Sequence, residues 1–284
     1  MSMAEVVRFA RELECGWDRT QLPMARQPHF LKADAPFRRV LYPGIDPSSL
    51  ADDELEEWMG YVQMGASVAT VKPARNSKRH FRGYRPDPIR NRAIAYNSLL
   101  ERNWARCLCA NRRVVRIEEQ PAAIVYELPG AGSHRLDFLA TYDDGYRIAY
   151  LVKPLAFVKK TRLKDVARTL MAGPLKDIAN EPVIITELEA SDARAWNAKM
   201  VLRHLRSRNE FDDQRTRQVA SQFVGVFSLM DLLRFFNDRA APRAAVWRLI
   251  YEGSLEIAFD DRRLVDCGYL KTTPILLQKL EEQP

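Results

Sequence analysis

The sequence predicts a mixed α/β fold, and three observations lead there. Leu100, Trp104, Cys107 and Leu108 recur at helical spacing, which places a helix over about Ile94–Ala110. Four short apolar runs follow, Val114–Ile117, Ala123–Tyr126, Leu136–Tyr142 and Tyr146–Val152. They are separated by Gln120-Pro121, Pro129-Gly130-Ala131-Gly132 and Asp143-Asp144-Gly145, and Asp-Gly ahead of a β-rich run is a strong hairpin signal. A helix over about Thr161–Ile178 then leads to a short buried strand, Val183–Thr186, and to a helix over Ser191–Arg206 capped by Ser191. Helix, meander, crossover helix and strand make a layered α/β domain over residues 77–206.

The flanks read differently. Residues 1–76 form a helical N-terminal extension, with an amphipathic stretch at Glu5–Glu14 and a second helix start at Asp46-Pro47. There Asp52, Asp53, Glu54, Glu56 and Glu57 complement the N-terminal dipole. Residues 207–284 carry helices at Val219–Val224, Ser228–Asn237 and Ala241–Tyr251, the last closed by Gly253. Two alternating runs, Leu255–Phe259 and Leu264–Tyr269, flank Asp260–Arg263 as a hairpin, and three helices with such a wing describe a winged helix.

Composition narrows the function classes. No run of about 18 apolar residues is present and the N-terminus lacks a secretory pattern, so a reduced, cytoplasmic, bacterial-type protein away from the membrane is expected. Cys15, Cys107, Cys109 and Cys267 match neither a disulfide framework nor a zinc spacing. The net charge of +7 hides an asymmetry: Lys72–Arg113 holds twelve Lys/Arg against Asp87 and Glu101, a local +10 that leaves −3 for the remainder. Interleaved with Phe81, Tyr84, Tyr96 and Trp104, this stretch suits double-stranded DNA and a nucleoid-associated role. Its candidate phosphate-binding residues are Lys72, Arg75, Lys78, Arg79, Arg82, Arg85, Arg90 and Arg92, joined by Lys159 and Lys160. A solvated basic face is the plainer alternative.

The candidate chemistry lies in three residues. Glu101 flanks the apolar stripe of its helix, Asp137 sits on one strand, and Lys153 ends the next. Phosphodiester hydrolysis needs carboxylates that hold a hard cation such as Mg²⁺ or Mn²⁺ and gains from a lysine that neutralises developing charge. Glu101 and Asp137 are the candidate metal ligands, with Lys153 as their catalytic partner.

Ser98-Leu99-Leu100-Glu101, Val114–Ile117, Glu119-Gln120-Pro121, Leu136-Asp137-Phe138-Leu139, Asp144-Gly145 and Val152-Lys153-Pro154 occur in that order, followed by Trp196-Asn197-Ala198-Lys199. Over residues 80–270 the ordered set resembles TnsA, the endonuclease subunit of heteromeric, Tn-seven-type transposases. The resemblance implies a restriction-endonuclease-like core with a PD-(D/E)xK site. It also implies nicking of the 5′ ends of an element, a DDE transposase partner that cuts the 3′ ends, and an ATP-dependent regulator. Glu101, Asp137 and Lys153 match the family's helix acid, strand acid and lysine. The chain departs at Leu151, where the family pattern has Glu or Gln. Leu136 also replaces the proline before the acid.

Leucine cannot ligate a cation, so two readings stay open. Glu118 or Glu119 stands in, or a single cation is held with backbone and water. Alternatively the nuclease is degenerate and the chain is a DNA-binding assembly subunit. Apart from Leu151, another PD-(D/E)xK nuclease, such as a restriction or repair enzyme, is a rival to the TnsA reading itself.

Overall fold

The computed structural model describes residues 64–73, 81–126 and 132–281. The chain divides into two units, Met1–Val62 and Gln63–Pro284, and all described residues belong to the second. The helices expected at Glu5–Glu14 and after Asp46 lie outside the described residues.

The unit is mixed α/β, as expected. It opens on a β-hairpin, β1 (Gly83–Asp87) and β2 (Arg92–Tyr96), with Gly83 opposite Tyr96. Asp87 turns it: its Oδ1 accepts from the Ile89 and Arg90 amides, and Asn91 takes the left-handed conformation. This hairpin corrects the expected helix start. Ile94–Tyr96 is strand, and α1 begins at Leu99, running to Cys109 behind the Ser98 cap that accepts from the Glu101 amide at 3.1 Å.

The four apolar runs become strands as read, and a strand that the spacing did not predict, at Gly132–His134, joins them. The strands are β3 (Val114–Glu119), β4 (Ile124–Tyr126), β5 (Gly132–His134), β6 (Phe138–Tyr142) and β7 (Arg147–Val152). Gly145, at φ +80°, closes the β6–β7 hairpin, while β4 and β5 pair separately. A short helix α2 (Leu155–Val158), helix α3 (Leu163–Ala172) and a 3₁₀ turn (Pro174–Asp177) cross over to β8 (Glu181–Ile185), which pairs parallel to β7. Pro174 ends the crossover helix earlier than the apolar spacing suggested. Helix α4 (Asp192–His204) carries the Ser191 cap as expected.

The main sheet has the order β3-β6-β7-β8, and alternation along its strands divides the core. Phe138, Ala140, Tyr150 and Val152 pack with Ala105, Leu108 and Leu202 of α1 and α4. Leu139, Ala149 and Leu151 face the opposite way, toward Leu163, Ala167 and Leu170 of α3. Helices therefore cover both faces of the sheet.

The C-terminal elements are α5 (Glu210–Ala220), β9 (Val226–Ser228), α6 (Leu229–Leu233), α7 (Ala240–Glu252), β10 (Leu255–Ile257), β11 (Tyr269–Thr272) and α8 (Pro274–Glu281). The first helix starts nine residues ahead of the expected Val219, because Asn209 caps it and Glu210, Asp212 and Asp213 fill its first turn. The strands form an antiparallel sheet, β10-β11-β9.

The hairpin's second strand falls at Tyr269–Thr272 rather than Leu264–Tyr269, and Asn197 explains the shift. Its buried carboxamide donates to the Arg262 carbonyl at 2.8 Å and accepts from the Leu264 amide at 2.9 Å. That loop's backbone is satisfied by a side chain and does not enter the ladder. Asn197→Ala leaves the buried Leu264 amide and the partly buried Arg262 carbonyl unpaired and is expected to cost about 1–3 kcal/mol in urea denaturation. A loss below about 0.5 kcal/mol would show that water replaces the amide.

Candidate active site

Glu101 lies in the first turn of α1 and is 7 % exposed. Its Oε2 accepts from the Asn97 amide at 2.7 Å and from Gln120 Nε2 at 3.4 Å. The side chain therefore turns inward, as its place beside the apolar stripe suggested.

Asp137 precedes β6. Its amide donates to the Tyr150 carbonyl at 3.1 Å, its carbonyl accepts from the Gln120 amide at 2.9 Å, and its Oδ2 accepts from the Val152 amide at 2.6 Å. Lys153 follows β7 directly, with its amide donating to the Ile185 carbonyl at 2.9 Å.

The three residues interact electrically. Burial pushes the Asp137 carboxyl up to about 7, and the Glu101 carboxylate adds to the rise. The Val152 amide and the Lys153 ammonium oppose it. Two acids and a lysine thus converge at one end of the sheet, where β6 and β7 bring in Asp137 and Lys153 and α1 brings in Glu101.

Two neighbours were not read from the sequence. Gln120 was assigned to a turn, yet it is 4 % exposed and donates to Glu101. His134, on β5, stands near Lys153, and burial followed by that charge lowers its imidazole from the usual value. A polar residue held between a strand and a proline was the available signal for Gln120. Nothing in the local sequence marked His134.

Neither proposed stand-in for the missing donor is free. Glu119 is fully buried and accepts from Arg92 through both oxygens, at 3.0 and 2.7 Å, and from the Val68 amide and Ser67 hydroxyl. Glu118 pairs with Arg116 and Arg147. Leu151 is completely buried among Leu136, Leu139, Leu163 and Leu170, serving as core.

The basic set divides. Arg75, Lys78 and Arg79 lie outside the described residues. Lys72, Arg82, Lys159 and Lys160 are exposed. Arg85, Arg90 and Arg92 are spent internally, which corrects their expected role. Arg85 donates to Cys109 Sγ at 2.8 Å, Arg90 pairs with buried Asp87 and donates to the Val114 carbonyl, and Arg92 pairs with Glu119 and donates to the Ile117 carbonyl. Of the interleaved aromatics, Phe81 and Tyr84 are exposed, whereas Tyr96 is buried and Trp104 packs edge-on against Tyr150.

Among the described residues no group of three or more His, Cys, Asp or Glu is placed to hold a metal. The oxygen donors gathered at this sheet end are two carboxylates and the Gln120 carboxamide. That is a hard donor set of the kind Mg²⁺ or Mn²⁺ accepts. No helix among the described residues is long and apolar enough to cross a membrane.

The raised Asp137 carboxyl sets a pH test. The folded chain holds this proton more tightly than an unfolded carboxyl of 3.8, so its contribution to stability is full below about 4 and lost as pH rises through about 7. In chelator-treated protein, Asp137→Asn should flatten the fall in Tm between pH 5 and pH 8. An unchanged fall would assign the titration to another group. No family model matches the sequence and no curated protein matches it, so what these residues can do rests on their geometry and chemistry.

Proposed function

We propose that the chain is a metal-dependent DNA endonuclease of the TnsA type, nicking the 5′ ends of a mobile element beside a DDE transposase and an ATP-dependent regulator. The observation that carries this reading is the meeting of Glu101 and Asp137 with Lys153 at one end of the β6–β7 hairpin. Mixed α/β layering around β3-β6-β7-β8 supports a restriction-endonuclease-like core. The order α5, β9, α6, α7, β10, β11 supports a C-terminal winged helix.

A divalent cation bound at this sheet end would supply Lewis-acid polarisation of the scissile phosphate. Glu101 and Asp137 would hold it, and their mutual repulsion without it fits a site built for positive charge. Lys153 brings an ammonium to the same sheet end, where it neutralises charge that develops on the phosphoryl oxygens. Exposed Lys72, Arg82, Lys159 and Lys160 would fix the duplex through its phosphates.

Leu151 favours a second reading. An apolar residue, completely buried where a ligand is expected, suits a DNA-binding assembly subunit that has lost its chemistry. Reconstitution with transposase, regulator, element ends and Mg²⁺ separates the two. The wild type should nick 5′ strands, and Lys153→Ala should slow that nick by about 10²-fold or more while sparing the 3′ cut. A complex that cuts 3′ ends and leaves 5′ strands intact would establish the assembly-subunit reading.

DNA affinity supplies an independent test. Replacing Lys72, Arg82, Lys159 and Lys160 with Ala should reduce the slope of log K against log salt by up to about 0.9 per lost phosphate contact. Arg92→Ala should act differently, costing about 3–5 kcal/mol of stability by stranding Glu119. A slope unaffected by the four exposed substitutions would move the DNA footprint to the C-terminal elements.

A further inference from the structure

Gln120 has three features that turn formation does not require. Its backbone is left-handed at φ +42° immediately before Pro121, a conformation that both its side chain and the following proline disfavour. Flanking bonds hold it there: its amide donates to the Asp137 carbonyl at 2.9 Å, and its carbonyl accepts from the Thr70 amide and hydroxyl at 3.1 and 2.8 Å. Its side chain is then delivered into the interior at 4 % exposure. There Nε2 donates to Glu101 Oε2 at 3.4 Å, while Oε1 meets no hydrogen-bond donor among the described residues. A buried carbonyl oxygen without a donor is costly and uncommon.

We propose that the Gln120 carboxamide oxygen is the third protein ligand of the divalent cation held by Glu101 and Asp137, supplying from the end of β3 the donor that Leu151 does not provide on β7. This rests on the nuclease reading and adds a residue to its site.

The geometry suits that role. Gln120 touches both acids, Glu101 through its side chain and Asp137 through its backbone. A half-turn of the carboxamide exchanges its nitrogen and oxygen and would place the oxygen where Nε2 lies, 3.4 Å from Glu101 Oε2. Without a cation the N–H group bridges to the carboxylate. With one bound, the amide would present its oxygen instead. Glu118 and Glu119 are excluded because their carboxylates are committed to Arg147, Arg116 and Arg92.

Calorimetric titration of Mn²⁺ into the chelator-treated full chain tests this without reference to cleavage. Wild type should bind, and Asp137→Asn should abolish binding. Gln120→Leu should weaken it at least about tenfold through loss of one oxygen donor, and Gln120→Glu should bind more tightly than wild type by adding a charge. Thermal melts of the metal-free variants show whether each is folded. Should Gln120→Leu misfold, the Gln120→Glu arm alone decides, and affinity no higher than wild type overturns the proposal. Full Mn²⁺ affinity in folded Gln120→Leu, alongside loss in Asp137→Asn, overturns the Gln120 assignment and leaves the nuclease reading standing. No Mn²⁺ uptake by wild type overturns both.

Discussion

Asp137 is tied to both neighbouring strands by three hydrogen bonds at a single residue: amide to Tyr150, carbonyl to Gln120, carboxylate to Val152. These bonds fix where β6 enters the sheet, and the register that follows, Glu119 opposite Phe138 and Phe138 opposite Tyr150, runs along β6–β7 and along β3 as far as an irregularity between Arg116 and Val114. A slip of one residue would turn Asp137 and Leu139 from the α3 face to the α1 and α4 face and exchange the side chains of the two packed layers. The same register carries Gln120 and Lys153 to one end of the sheet. Packing energy in the two apolar layers therefore holds the acids close together against their repulsion.

Charge in this molecule does two separate jobs. Arg90 and Arg92, with Asp87 and Glu119, are drawn into the structure, where each guanidinium also satisfies strand carbonyls. Arg248 with Asp213 repeats the pattern in the C-terminal elements, at 2.6 Å and almost fully buried. Such pairs gain little net stability over apolar residues of the same size, but losing one partner leaves a buried charge. They lock the β1–β2 hairpin and the 64–73 segment against the sheet. The exposed lysines and arginines remain available to a polyanion, so the DNA-facing part of the proposed function rests on fewer residues than the charge count suggests.

Helix α4 joins two cores through adjacent residues. Leu202 packs with α1 and the main sheet, while Val201 packs with Trp247, Leu249 and Leu264. Asn197, one turn before Val201 on the same face, holds the 262–264 loop. A change in one core is thus felt by a helix that the other also uses. That sharing would couple a proposed DNA-binding element to a proposed catalytic one.

The sequence alone determined the α/β class, the four apolar runs that became β3, β4, β6 and β7, the Asp144-Gly145 hairpin and the Ser191 cap, and it named Glu101, Asp137 and Lys153 as candidates. These signals are local: apolar spacing, turn chemistry and a capping hydroxyl act within a few residues. What only the tertiary structure decided was pairing over distance. Ile94–Tyr96 looked helical because its apolar residues continue the α1 pattern, and the partner strand at Gly83–Asp87 turned it into sheet. Arg92 and Glu119 looked available, and lie 27 positions apart, until the fold made them a buried pair. Gln120 looked like turn punctuation before Pro121, and its place beside Glu101 and Asp137 exists only once β3, β6 and α1 are packed. Sequence spacing names the groups that chemistry needs; long-range register decides which of them face one another.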